Sequence, residues 1–284
     1  MHGPEILARF LSKPDSKADK YGQHWQYNSR SDRHSKVGCW GVALDLLSHS
    51  ELMQSHAASG KIVLGVNHQM TDFHSGRPKD LDLVIARPSS GMDSAKGSFR
   101  TLVSKFKIEL SDVERALLEK LPDIAIAPVG AVLVALEAKA CMTAHIKALP
   151  RLYDELNSSQ FCVHGASSQA LAIGYVQVNN SDNFVSSVVN SERLSEGLPV
   201  KVTKHRQPGD TLRVLDKVAQ LPRRSSKGGD GFDALGITVL DFKNDGGPVS
   251  LVGDAPAPQP GSNFHYDGMI VRMANEYDAT FSKI

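Results

Sequence analysis

The sequence predicts an α/β protein of the α+β type, a mixed central sheet with helices on its faces. Three observations lead there. Apolar runs of strand length, each bounded by turn residues, recur at 61–67, 81–86, 124–140, 170–179 and 236–243. Segments with helical spacing lie between several of them. From Val37 the coarse order is helix, strand, strand, insertion, strand, helix, strand, a pattern that buries a sheet under helices. At 284 residues and 41% hydrophobic composition, the chain can build one large core without disulfide staples.

The elements follow in order. Residues 12–36 are polar and include the basic stretch S-R-S-D-R-H-S-K at 29–36, which reads as a solvated arm or as a phosphate-contacting segment. From Val37 to about Ala58, a stripe of Trp40, Ala43, Leu44 and Leu47 predicts a helix. K-I-V-L-G-V-N and L-D-L-V-I-A form two strands, joined by a polar loop with Gly76 and Pro78 into an antiparallel hairpin. Residues 88–110 look looser, until Ser111 caps a helix with acids in its first turn. Residues 124–140 give a short strand, a turn and a second strand. The amphipathic helix after Thr143 meets Pro150, which should kink or divide it. Residues 170–179 are a buried strand. Farther on, G-I-T-V-L-D-F-K, the turn N-D-G-G and P-V-S-L-V make a hairpin.

Composition narrows the function classes. Cys39, Cys141 and Cys162 are odd in number and lack ligand spacing, which argues against a secreted disulfide scaffold and for a reducing, cytoplasmic setting. The opening residues lack an apolar stretch long enough for a signal peptide, and no run approaches a membrane span. A net charge of +1 neither announces nucleic-acid binding nor excludes it.

The most informative stretch is A-V-L-V-A-L-E-A-K-A, residues 131–140. A strand buried on both faces should not end in an acid and a base without a reason, because unpaired buried charge is costly. Period-2 alternation sets Glu137 and Lys139 side by side on one face. Such a pair suits a metal site that hydrolyses phosphodiesters; a surface ion pair is the ordinary alternative.

With an apolar strand before it and a helix after it, E-A-K at 137–139 resembles the active-site motif of the PD-(D/E)xK nuclease superfamily, the fold of most type II restriction endonucleases. The resemblance covers roughly residues 37–180 and implies a restriction-endonuclease-like sheet. It further implies that an Asp and Glu137 hold Mg²⁺, a hard cation suited to carboxylate oxygen, and that Lys139 orients or deprotonates the attacking water or stabilises negative charge.

Two residues compete to be the Asp. Asp82 opens the second strand and fits the topology, provided that the stretch between it and Glu137 is an insertion. Asp123 follows Pro122 and, if the chain turns at Gly130, lies opposite Glu137 in an antiparallel pair, about 5 Å away. Asp82 ranks first because it accounts for more of the chain.

Secondary candidates surround this group. His145, Lys147 and Arg151 follow on the next helix, where Lys147 and Arg151 share a face. Asp45 could add an acid from the first helix, and Gln177 is a polar position on a later strand. Asp241 and Lys243 in L-D-F-K mimic the motif but run into a hairpin turn, and are read as the exposed pair of an edge hairpin. The histidines, His68 and His74 among them, form no zinc pattern, and Asn67-His68 lacks the companions of an HNH nuclease.

The resemblance implies a Mg²⁺-dependent type II restriction endonuclease, acting as a homodimer on double-stranded DNA without an organic cofactor or membrane partner. The expected organisation is a polar arm (1–36), a nuclease core (37–180) and a C-terminal elaboration (181–284) for DNA recognition or dimerisation. In that elaboration R-Q-P-G-D-T-L-R (206–213) and P-R-R-S-S-K-G-G (222–229) are the basic segments. A less specific defence or repair nuclease, and a DNA-binding module with a vestigial site, are the alternatives.

Overall fold

The computed structural model describes residues 1–71, 76, 78–89, 95–225 and 229–284. In chain order its elements are α1 (Gly3–Leu11), α2 (Arg33–His49), α3 (Glu51–Ala58), β1 (Val63–Thr71), β2 (Pro78–Pro88), α4 (Thr101–Phe106), α5 (Asp112–Lys120), β3 (Val129–Cys141), α6 (His145–Ala166) and β4 (Leu171–Asn179). There follow β5 (Asn183–Phe184), α7 (Ser187–Ser195), β6 (Thr203–Lys204), α8 (Gly209–Ala219), β7 (Ala234–Asp241), β8 (Ser250–Leu251) and α9 (Tyr266–Thr280).

The described residues build a six-stranded sheet in the order β1-β2-β3-β4-β7-β8. Strands β3, β4 and β7 run parallel, and β1, β2 and β8 are antiparallel to their neighbours. Helices α2 and α9 pack on one face and α6 and α8 on the other. A separate apolar core lies on each side. This is the mixed, helix-flanked sheet that the apolar runs predict.

The expected hairpin at 61–86 forms, with Val63 opposite Ala86. Ser111 caps α5 through a reciprocal capping box with Glu114. The helix expected over 37–58 is two helices, because Ser50 leaves the helical conformation and its hydroxyl accepts the Met53 N–H. Pro150 does not divide α6, which continues through it to Ala166.

The first 36 residues are not a polar arm throughout. Helix α1 buries Ile6, Leu7 and Leu11 completely, and its amphipathic face packs on α2 so closely that a Cβ on Gly41 would stand 2.7 Å from the Gly3 Cα. Asp45 accepts the N–H groups of His2 and Gly3 and the Tyr266 hydroxyl, holding the start of α1 in place.

The boundary expected near residue 180 cuts through the sheet. Strand β7, from the last third of the chain, is hydrogen-bonded to β4 along its length, because A-L-G-I-T-V-L is apolar enough to lie between two helical layers. The predicted 236–251 hairpin forms where Leu240 and Asp241 pair with Leu251 and Ser250, but only β8 is at the edge. Asp241 and Lys243 are exposed there.

Candidate functional site

The neighbouring ends of β2 and β3 bring the predicted acids together. Their antiparallel register runs through Leu83 opposite Leu136, and one step further along come Asp82 and Glu137. There the Asp82 carboxylate replaces a ladder partner, accepting the backbone N–H of Ala138 at 2.9 Å. Two residues on, Lys139 returns to the Glu137 face, and its Nζ lies 2.9 Å from Glu137 Oε1. The strand alternation thus delivers the side-by-side pair that the sequence predicts.

Two further residues complete the network. Glu155, on α6, receives Lys139 Nζ at 3.1 Å and Arg151 Nε at 2.5 Å. Lys79, on β2, places its Nζ 3.4 Å from Glu137 Oε1 and donates to the Glu155 backbone carbonyl at 3.2 Å. Sequence reasoning missed both. The one available signal for Lys79 is its i−3 position relative to Asp82 at the mouth of the same strand; Glu155 carries none, because its contact depends on how α6 crosses the sheet.

Burial and the Glu137 charge push the Asp82 carboxyl up to about 7, with the Ala138 N–H opposing them. Burial alone would disfavour the Lys139 ammonium, but Glu137, then Glu155 and Asp82, outweigh it and hold the lysine firmly charged. Glu155 is held below its ordinary value because Arg151 and Lys139 outweigh its burial. Glu137 is 3% exposed, and its Oε2 is a buried oxygen with no hydrogen-bond partner among the described residues. A carboxylate oxygen so placed suits a cation.

Asp82 and Lys139 open onto a cleft of about 360 Å³. Its opposite wall is the N-terminal segment, including Arg30, His34 and Ser35, and its third side is α6 with Arg151 and Glu155. His34 is buried and pushed down to about 4, by burial first and by the Lys139 charge second. It therefore faces the cleft as a neutral ring at neutral pH.

Other predicted residues lie elsewhere. Asp123 is exposed and accepts the Arg100 backbone N–H at 3.1 Å. The turn it needs at Gly130 does not form, since Gly130 lies within β3 and Val129 pairs with Pro88 of β2. Asp45 is fully buried among its three donors, away from the acids of the cleft. His145 is buried under the start of α6, bonded to the Asn179 carbonyl at 2.8 Å, whereas Lys147 and Arg151 are exposed. Gln177 is fully buried and its amide donates to the His34 carbonyl at 3.3 Å. His68 is half-buried on β1; His74 lies outside the described residues.

The two basic segments sit at opposite ends of the sheet. Residues 206–213 meet the C-terminal end of β4, where Gln207 and Thr211 bond the Asn179 carbonyl; this is the end that carries Lys139. The Arg224 side chain, by contrast, is 3% exposed and donates to Asp233 and to the carbonyls of Ser168 and Ala170 at the start of β4. It is an internal tie and not a nucleic-acid contact. Ser226, Lys227 and Gly228 lie outside the described residues.

Asp82 and Glu137 are the two carboxylates of this group that could hold a divalent cation. Among the described residues no group of three or more His, Cys, Asp or Glu is arranged around a metal position. Two carboxylates nevertheless fit Mg²⁺, which keeps several waters and takes one or two protein carboxylates. Searches of family models, curated proteins and solved structures find no match to this chain. No helix among the described residues is long and apolar enough to cross a membrane.

Proposed function

We propose that the chain is a Mg²⁺-dependent endonuclease hydrolysing phosphodiester bonds of double-stranded DNA, with a restriction-endonuclease-like core resembling the PD-(D/E)xK superfamily. One observation carries the reading: Asp82 and Lys139 line a cleft where β2 and β3 pair, with buried Glu137 bonded to Lys139 behind them and its other oxygen without a partner among the described residues. In this reading Asp82 and Glu137 hold the cation. When bound, Mg²⁺ neutralises charge at the scissile phosphate and makes a nearby water more acidic.

The chain's own groups do the remainder. Lys139, kept charged between Glu137 and Glu155, acts as a donor that orients the attacking water or stabilises a phosphate oxygen, rather than as a base. Arg30 and Arg151 at the cleft walls suit phosphate contacts that position the duplex. Segment 206–213, at the same end of the sheet, is the better placed of the two basic segments for base recognition. A homodimer and a cytoplasmic setting belong to the same reading, since cutting both strands of a symmetric site calls for two copies.

A second reading has its own support. Glu137 Oε1 is already engaged by Lys79 and Lys139, and no third metal donor stands nearby among the described residues. Both features suit a DNA-binding module with a vestigial site.

Purified protein incubated with supercoiled plasmid and Mg²⁺ separates the readings. Discrete fragments indicate a restriction-type enzyme, and a smear indicates a less specific nuclease. Glu137→Ala and Lys139→Ala should each abolish cutting while leaving the fold intact. DNA binding without cleavage in Mg²⁺ or Mn²⁺ would establish the vestigial reading instead.

A further inference from the structure

A second cleft, of about 580 Å³, opens at the other end of the sheet, beyond the starts of β4 and β7. Arg223, Arg224 and Arg272 line it, with Asp233 and Glu276 as its acids. These charges are unequally engaged. Arg224 and Asp233 satisfy each other at 2.6 Å, and the other Asp233 oxygen takes the Ala172 N–H at 2.7 Å. Glu276 accepts from Thr280 at 3.2 Å. Among the described residues neither the Arg223 nor the Arg272 guanidinium has a hydrogen bond or a carboxylate partner.

Both arginines are exposed, and the Arg223 guanidinium is held by an aromatic ring. Arg223 lies over the Phe264 ring, 5.0 Å from its centroid, which fixes the plane of its donors. Arg272 projects from α9 beside Met273, which is buried in the core. Burial first and the nearby Arg223 charge second disfavour the charge on Arg272, and Asp233 opposes them in part. Two like charges lining one concavity repel each other and become favourable when an anion bridges them.

We propose that this cleft binds a phosphoryl group, a tetrahedral oxyanion gripped between Arg223 and Arg272. The chemistry is that of inorganic phosphate or a phosphate monoester, whose several oxygens can accept from two guanidinium forks at once; a single carboxylate is less well matched to two forks. Arg224 is committed to the fold, with each of its three nitrogens donating internally and its side chain 3% exposed, so the grip is assigned to Arg223 and Arg272. The cleft is separate from the Asp82–Glu137 group and does not depend on its being catalytic.

The test uses the full chain. Thermal unfolding is followed in increasing inorganic phosphate against sodium chloride of equal ionic strength, and binding is read independently from ³¹P line broadening. Wild type should show a saturable rise in Tm and matching broadening. Arg223→Gln and Arg272→Gln should each weaken phosphate binding by about tenfold or more. In chloride both variants should stay folded, with circular dichroism and a cooperative transition like those of wild type, because both arginines are exposed, so a folding defect is distinguishable from lost binding. Adenosine 5′-monophosphate and a short duplex with and without a 5′-phosphate then separate the sources. Tighter binding of the mononucleotide indicates a small phosphorylated ligand, and dependence on the 5′-phosphate indicates a nucleic-acid end. The proposal is overturned if wild type and the double variant respond identically to phosphate, which would reduce the effect to general salt stabilisation.

Discussion

Asp82 accepts the backbone N–H of Ala138 at 2.9 Å across 56 positions of sequence. This bond fixes the acid beside the two residues that flank Ala138, and it does so where the β2–β3 ladder ends. The sheet's own hydrogen bonding therefore sets the separation of Asp82 from Glu137 and Lys139, with no flexible loop involved.

Asp82→Asn should stabilise the metal-free protein at pH 8. Asp82 titrates near 7 in the fold, above its unfolded value of about 3.9. Stability from its protonated form is thus complete below the unfolded value and is lost as pH rises through about 7. Asparagine keeps the acceptor for Ala138 without the charge, and the expected gain at pH 8 is roughly 2–4 kcal/mol. Urea midpoints in EDTA at pH 8 and pH 5 test this: the gap between variant and wild type should narrow at the lower pH. Added Mg²⁺ should stabilise wild type and leave the variant unchanged. An Asn variant less stable than wild type at pH 8 would contradict the electrostatic account.

Glu155→Gln should slow cleavage by about tenfold to a hundredfold at unchanged DNA affinity. The glutamine retains a hydrogen-bond acceptor for Lys139 but removes one of the charges that hold its Nζ. Single-turnover rates and gel-shift Kd values read the two effects separately. Equal losses in both would mean that Glu155 contacts DNA or supports the fold instead of positioning Lys139.

Gly41→Ala should destabilise the fold by roughly 1–3 kcal/mol. The new methyl would meet the Gly3 backbone at 2.7 Å, which forces α1 away from α2 and disturbs the Asp45 contacts at His2 and Gly3. Denaturant midpoints check the loss. An unchanged midpoint would show that α1 contributes little to global stability.

Arg224→Ala should cost about 3–5 kcal/mol, because it leaves Asp233, whose side chain is 9% exposed, without its ion-pair partner and two carbonyls without a donor. Arg224→Lys should recover only part of that, since one ammonium cannot span three acceptors. A urea series on both variants provides the comparison, and a neutral Arg224→Ala would refute the internal role assigned to this arginine.

Local periodicity made much of this protein legible in advance. Apolar runs and turn residues marked the strands of the sheet, Ser111 announced its capping box, and alternation along 131–140 set Glu137 beside Lys139. These depend on neighbours a few residues apart, which the sequence by itself determines. Tertiary structure decided what depends on register between distant segments. It set Asp82 beside Glu137 and left Asp123 in an exposed loop, because β3 pairs with β2 and makes no hairpin at Gly130. It added Glu155 and Lys79 to the network through the crossing of α6 over the sheet. It also drew α1 into the core and β7 into the sheet, and turned Arg224 inward. Pairing, helix crossing and burial bring together residues far apart in the chain, and no local pattern encodes which of them will meet.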